Sequence, residues 1–476
     1  MRVSDLINLA SQYLKMGITA ALFIVFCILI GYFVVYRKIL KGQKKITWKR
    51  ILWWGILICY LCVVLGATLL SRGSYIYNGR VVPLFYSYKE AWIHFSNSAW
   101  RNIILNFCMF LPFGLWLPLG IKRLRSFWKM YLAGFGFSLL IECIQLFLRR
   151  GIFELDDIMG NTIGAMIGYG FFALGLYFFG KKVSREERKS RNPVFVLLLQ
   201  MPLFLTCAAF TVIFWKYNAQ ELGNNPYRYI EAYDSARLQV TADNTFRTEK
   251  PELEVYKVST LTVEAAREKG QRIFEALGTT PDTSRTDVYD ETIVMYSETG
   301  GYSLWIDYQG GTLGFTNFDV LYPNDQTTPK PAIGAEEEEI RNALVAIGFE
   351  VPADADFRES EPGTYRFDAV MSEVDDEIVN GTFTCKYYGA EKGFGTITDS
   401  LIAGTPYKTY AAISEQDAYE QIGKGEFPWL GNGDLEIRVV SCSLVYGLDS
   451  KGYYQPNYAF ACIINGEEGQ IMIPAL

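Results

Sequence analysis

The sequence predicts an α-helical membrane bundle of six transmembrane helices, followed by an extracytoplasmic α+β domain with antiparallel meanders. Three observations point there. Apolar runs crowd residues 1–216, the loops between them alternate in basic charge, and from residue 229 the chain turns polar, with helix caps and hairpin turns at short intervals. A mean hydropathy of +0.10 and a net charge of −6 therefore average two unlike halves. The division is 1–216 for the membrane domain, 217–228 for a polar linker, and 229–476 for the outer domain, with subdomains at 229–330 and 331–476.

The apolar runs fall at about 18–36, 51–70, 103–119, 127–148, 158–180 and 194–215. Each is near the ~20 residues that cross a hydrocarbon core. Lys and Arg concentrate in the loops 37–50, 122–125 and 181–191. Basic loops stay on the cytoplasmic side, so the N-terminus, the 71–102 loop, the 149–157 loop and everything after Lys216 are expected outside. In the first run the basic cluster follows the apolar stretch, which reads as a retained helix and not a cleaved signal. Residues 1–16 read either as an interfacial helix or as an unstructured lead-in.

A dense polar segment, Arg149 to Thr162, separates the fourth and fifth runs. Ionisable and amide groups cost about 2.5–3.5 kcal/mol each on membrane insertion scales, so they face protein or a watery cavity. Asn106 lies one turn below Asn102, Glu142 and Gln145 lie one to two turns below the end of the fourth run, and Asn161 lies one turn below Asp157. These residues share one depth in the outer leaflet, and the short 149–157 loop makes the fourth and fifth helices neighbours. Glu142 and Asp157 are then expected to approach Arg80, Arg149 or Arg150. Gly160, Gly164 and Gly168 recur at every fourth position and read as a packing stripe for another helix. The candidate ligand-binding set is Arg80, Asn106, Glu142, Gln145, Arg150, Asp157 and Asn161.

Four segments carry a family resemblance: Arg80-Val81-Val82-Pro83-Leu84-Phe85; Asn106 through Leu111-Pro112-Phe113-Gly114; Glu142-Cys143-Ile144-Gln145; and Arg150 through Asp156-Asp157 with Asn161-Thr162-Ile163-Gly164-Ala165. Their order and spacing resemble the VanZ-like membrane protein family over roughly residues 50–180. That resemblance implies a bacterial envelope protein, the founding member being tied to low-level teicoplanin resistance, in a family whose biochemical activity is unsettled. Many members of this kind place Asn before Ile-Pro-Phe, where this chain has Val82 before Pro83.

The single histidine, His94, sits among Trp92, Trp100 and several tyrosines and reads as part of an interfacial aromatic belt; one histidine builds no His-rich zinc site. The cysteines in apolar runs, the Cys59 and Cys62 pair included, read as small hydrophobes. Cys385, Cys442 and Cys462, an odd number, read either as three free buried thiols or as one disulfide and a thiol.

In the outer domain, 262–277 and 335–347 show helical periodicity and end at Gly278 and Gly348, while Ser414 to Asp417 opens a third helix as a capping box. Strands are expected at 293–297, 302–308 and 312–318, and at 458–464 and 470–473 around Asn465-Gly466. The tail from Tyr453 to Tyr458 and from Ile473 to Leu476 bears a distant resemblance to YycI-like or PepSY-type extracytoplasmic domains. An acidic surface does not attract nucleic acid.

Three functions compete on these residues, none requiring a cofactor. The leading one is capture of an envelope lipid or cell-wall precursor head group. The second is an enzyme using Glu142 and Asp157 as acid and base on an envelope lipid. The third is a membrane-anchored sensor whose outer domain binds an envelope protein.

Overall fold

The computed structural model describes residues 47–70, 81–149, 151–179, 192–323, 329–374, 377–429 and 433–476, with scattered positions between 17 and 41. The chain forms two compact units, residues 1–221 and 222–476.

In the N-terminal unit, α1 (Trp48–Leu65) continues into a π-helical segment (Gly66–Leu70). A two-residue strand β1 (Val81–Val82) leads into α2 (Tyr86–His94) and α3 (Asn97–Gly120). There follow α4 (Phe127–Phe147), β2 (Phe153–Glu154), α5 (Leu155–Phe179), α6 (Pro193–Leu198) and α7 (Met201–Ala219). Among the described residues, five helical stretches are long and apolar enough to cross a membrane: 48–69, 97–120, 127–147, 155–179 and 193–219. In the run at 18–36, expected to be a further span, about half the positions are described, all of them helical, whereas residues 1–16 lie outside the described residues.

Small residues set the tightest crossing. A Cβ on Gly164 would fall 2.2 Å from the Phe107 carbonyl oxygen, and one on Gly168 would fall 2.0 Å from that of Leu111. Gly114 meets the Ala165 carbonyl in the same way. Helices α3 and α5 therefore touch backbone to backbone, the packing use expected of the glycine stripe. Trp53 and Trp116 latch α1 to α3 by donating each indole N–H to the other's backbone carbonyl, at 3.3 and 3.4 Å. The ring of Phe95 stacks on Tyr217, while Trp100 meets Phe210 and Phe214, so α7 is held against α2 and α3. Of the residues expected as a belt, Trp100 is buried in this cluster, and His94 is exposed on the last turn of α2.

The C-terminal unit carries the predicted helices and meanders on one 14-stranded sheet. Its early strands are β3 (Leu238–Ala242) and β4 (Glu252–Val258), followed by α8 (Val263–Ala276). Next comes the meander β5 (Asp287–Val288), β6 (Thr292–Tyr296), β7 (Tyr302–Asp307) and β8 (Leu313–Asn317). After the short α9 (Phe318–Leu321) and α10 (Glu337–Ala346) run β9 (Asp356–Glu361), β10 (Thr364–Val374), β11 (Glu377–Tyr387), β12 (Phe394–Asp399) and β13 (Ile402–Ala411). Helix α11 (Glu415–Gly423) precedes β14 (Leu435–Leu448), β15 (Tyr453–Ile464) and β16 (Glu467–Pro474). The capping box at Ser414 forms, with Asp417 as its partner, and β15 turns into β16 through Asn465 and Gly466 at φ of 50° and 88°. Cys385, Cys442 and Cys462 hold free thiols.

Two expectations need correction. The subdomain boundary at 330 does not match the cores: residues from Ala266 to Ile397 share one core, while Ala412 to Ala475 form another joined by Leu238 and Leu253. The reason is pairing across the sequence, since β3 runs parallel to β14 and β4 pairs with both β13 and β15. Nor is 217–228 a free linker. Helix α7 reaches Ala219, and residues 223–225 are bonded into the C-terminal unit. Asp449 accepts from Gly223 N–H at 2.6 Å, Gln455 donates to the Gly223 carbonyl at 3.0 Å, Ser450 Oγ accepts from Asn224 N–H at 2.8 Å, and Asn225 donates to Asn457 at 2.8 Å. Short polar side chains read as linker residues from composition, but here they are buried hydrogen-bond formers.

Candidate functional site

The polar layer forms where α4 ends and α5 begins. The segment between these helices is tied, through the parallel pairing of β2 with β1, to the chain just ahead of α2, Val82 facing Glu154. That pairing aims the Glu154 N–H at Glu142, whose Oε2 accepts it at 3.1 Å. Glu142 is 1 % exposed. One turn toward the end of α4, Gln145, also 1 % exposed, donates its Nε2 to the Thr68 carbonyl at 2.9 Å. Thr68 lies in the π segment that closes α1, where carbonyls lack regular helical partners.

From α3, Asn106 donates its Nδ2 to Asp157 Oδ1. One turn deeper on α5, Asn161, 2 % exposed, donates to Ser138 Oγ on α4 at 3.0 Å. The layer therefore joins α1, α3, α4, α5 and β2 through side chains each within about one helical turn of the next along α4 and α5. Two amide oxygens in it, Gln145 Oε1 and Asn161 Oδ1, are buried with no hydrogen-bond partner among the described residues. For Gln145 the orientation is fixed, because a backbone carbonyl only accepts and must face the NH2 end. For Asn161 the Ser138 hydroxyl can play either role, so one polar end of that amide is unsatisfied in either orientation.

Asp156, adjacent in sequence but facing elsewhere, was not among the expected ligands. Its carboxylate is 4 % exposed and accepts from the backbone N–H groups of Phe85 and, at 2.8 Å, Ser87. Helix α2 begins there without a capping side chain of its own, Phe85 standing at φ 67°. Asp156 thus caps α2 from 70 residues away, neutralising its free donors and its positive dipole end. Glu154 joins by accepting from Ser87 Oγ at 3.2 Å. Tyr88 stands close by: burial, and then the charges of Asp156 and Asp157, push its phenol above the ordinary range. The only sequence signal for these roles was the doubled Asp156-Asp157, which cannot say which carboxylate faces which helix.

The arginine expectations divide. Arg80 and Arg150 lie outside the described residues. Arg149 is exposed, in a left-handed turn at φ 52° just past α4, and its guanidinium makes no ion pair among the described residues. The expected approach of Arg149 to the buried carboxylates is therefore not made.

Residues 23–177 match the model of the VanZ/LLP1 family. This region is a VanZ-like domain. Protein VanZ of Enterococcus faecium is 31% identical over 114 residues, 23% of this chain and 65% of that protein. The chain thus spans just under two thirds of that relative's length. The VanZ-like domain contains every residue of the polar layer, from Thr68 to Asn161, and the whole α3–α5 crossing. Among solved structures, an uncharacterized protein from Eubacterium rectale aligns at 12% identity and a TM-score of 0.25, covering 50% of this chain and 87% of that one. The YpeB C-terminal domain of Bacillus megaterium aligns at 11% identity and a TM-score of 0.20, covering 46% and 94%. Likeness at that level carries no functional information.

Proposed function

We propose that the VanZ-like domain is a binding device of the bacterial envelope. In this reading the layer of Asn106, Glu142, Gln145, Asp157 and Asn161, completed by Arg80 and Arg150, receives the head group of an envelope lipid or cell-wall precursor. The observation that carries it is the oxygen of Gln145, which has no donor among the described residues. A buried carbonyl lacking a donor costs about 1–3 kcal/mol. A head-group hydroxyl or ammonium placed at Gln145 Oε1 removes that cost, while the arginines anchor phosphate or carboxylate by charge-assisted hydrogen bonds. The basic loops support an extracytoplasmic opening for the site and an extracytoplasmic C-terminal unit. Sequestering such a precursor would alter its supply to glycopeptides, and tolerance to teicoplanin is the corresponding phenotype.

Mass spectrometry of lipids co-purifying with the full chain tests this. One lipid class is expected to fall about tenfold, the equivalent of one hydrogen bond of about 1.4 kcal/mol, in both Gln145→Leu and Arg150→Ala. Gly175→Ala, where an added Cβ meets open space, should leave the profile unchanged. A lipid profile identical in all four proteins counts against capture.

A further inference from the structure

The C-terminal unit holds a cleft of about 460 Å³ between α10 and the sheet. Pockets of 300–1,000 Å³ with an apolar lining and few convergent polar groups are the usual form of small-molecule sites. The floor here is aromatic: Phe315 and Phe394 are buried, Tyr302 stacks on Phe315 at 5.7 Å between ring centroids, and Tyr387 lies 5.1 Å from Phe394.

Its polar groups differ in sign and are underused. Glu339 on α10 accepts one hydrogen bond, from the Tyr387 hydroxyl at 3.0 Å, and among the described residues it enters no ion pair. Lys392, from the turn between β11 and β12, lines the same cleft, and among the described residues its ammonium has neither ion pair nor hydrogen bond. Asn317, 6 % exposed, has its Oδ1 fixed by the Val320 N–H at 3.3 Å, which leaves its Nδ2, at the end of β8, a donor without a partner among the described residues. A purely apolar ligand would cover that donor and leave it unbonded. A simple anion or cation would match one rim charge and leave the aromatic floor wet.

We propose that this cleft binds a small zwitterion with an apolar side chain, an amino acid or dipeptide. Its ammonium faces Glu339, its carboxylate faces Lys392 and Asn317 Nδ2, and its side chain lies on Phe315 and Phe394. A dipeptide extends about 7 Å at ~3.3–3.6 Å per residue, a length suited to charges on opposite rims. The proposal is independent of the membrane site.

Calorimetry on the full chain in detergent, with Ala-Phe, N-acetyl-Ala-Phe and Ala-Phe amide as probes, decides it. Ala-Phe should bind saturably, and capping either end should weaken binding about tenfold, the contribution of one charge-assisted hydrogen bond. Glu339→Gln should erase the penalty for N-acetylation, and Lys392→Met that for amidation. Ala343→Trp, on the cleft face of α10, should abolish binding with the thermal midpoint held as the folding control. The two rim variants, both at exposed positions, keep the test decisive if the Trp variant misfolds. Absence of saturable Ala-Phe binding, equal affinity for the capped peptides, or binding that survives Ala343→Trp would each overturn the proposal.

Discussion

Asp156 shows what one carboxylate does when each oxygen has its own donor. Its Oδ1 takes the Phe85 N–H and its Oδ2 the Ser87 N–H, so an amide cannot replace it: Asn would point an NH2 at one of two backbone donors. Asp156→Asn and Asp156→Ala should therefore destabilise the chain alike, by about 2–3 kcal/mol for lost bonds to a charged acceptor, measurable as a lowered unfolding midpoint in detergent. Equal stability of Asp156→Asn and wild type would refute the cap. Asp368, in the C-terminal unit, gives a pH signature. Burial acts to raise its pKa, but hydrogen bonds from Arg366 and Thr382 and the charges of Arg366 and Arg358 outweigh that and hold the carboxyl below the usual range. A depressed folded value means stability that is present above the unfolded pKa, ~3.9, and lost as pH falls through the folded one. The loss of denaturant resistance between pH 5 and about 3 should thus be shallower in Asp368→Asn than in wild type. At this scale the sequence was partly legible. Glu142, Gln145, Asn106 and Asn161 were marked by being polar where apolar residues are the default, whereas Ser138 and Thr68 carry no such mark, because small hydroxyl residues are ordinary in any helix.

At the scale of elements, apolar length made the helices visible, and their observed ends fall within a few residues of the expected ones. The strands of 356–411 were not foreseen. Tyr365, Phe367 and Ala369 alternate with Arg366 and Asp368 along β10, as Phe383, Cys385 and Tyr387 do with Thr384 and Lys386 along β11, but the pattern breaks at the register shift between Ala369 and Ser372. The crossing of α3 and α5 yields a sharp expectation. Gly164→Ala and Gly168→Ala push a methyl into a carbonyl and should destabilise by about 1–3 kcal/mol, as overpacking does. Gly175→Ala on the same helix should be neutral or stabilise by up to ~1 kcal/mol, the helix preference of alanine over glycine. Comparing the three midpoints separates close packing from mere helix propensity.

For the whole molecule, two units with separate cores explain why average hydropathy described neither half. Where one unit stops was misread because Asn and Gly signal flexibility in composition but bond formation in a buried setting. A fragment of residues 222–476 should fold with a higher urea midpoint than one of 229–476. The longer fragment retains the bonds to Asp449, Ser450, Gln455 and Asn457, collectively about 2–4 kcal/mol. Identical midpoints would mean that the segment is ornamental. The glycine notches of the N-terminal unit carry a last consequence. With Phe107 seated on Gly164 and Leu111 on Gly168, the two rods interlock like a ratchet with a single tooth position, and any slide by a turn, ~5.4 Å, would drive side chains into backbone. Asn106 and Asp157 are thereby kept at a common height, so whatever enters between these helices must be accommodated by swivelling side chains, with the scaffold itself standing still.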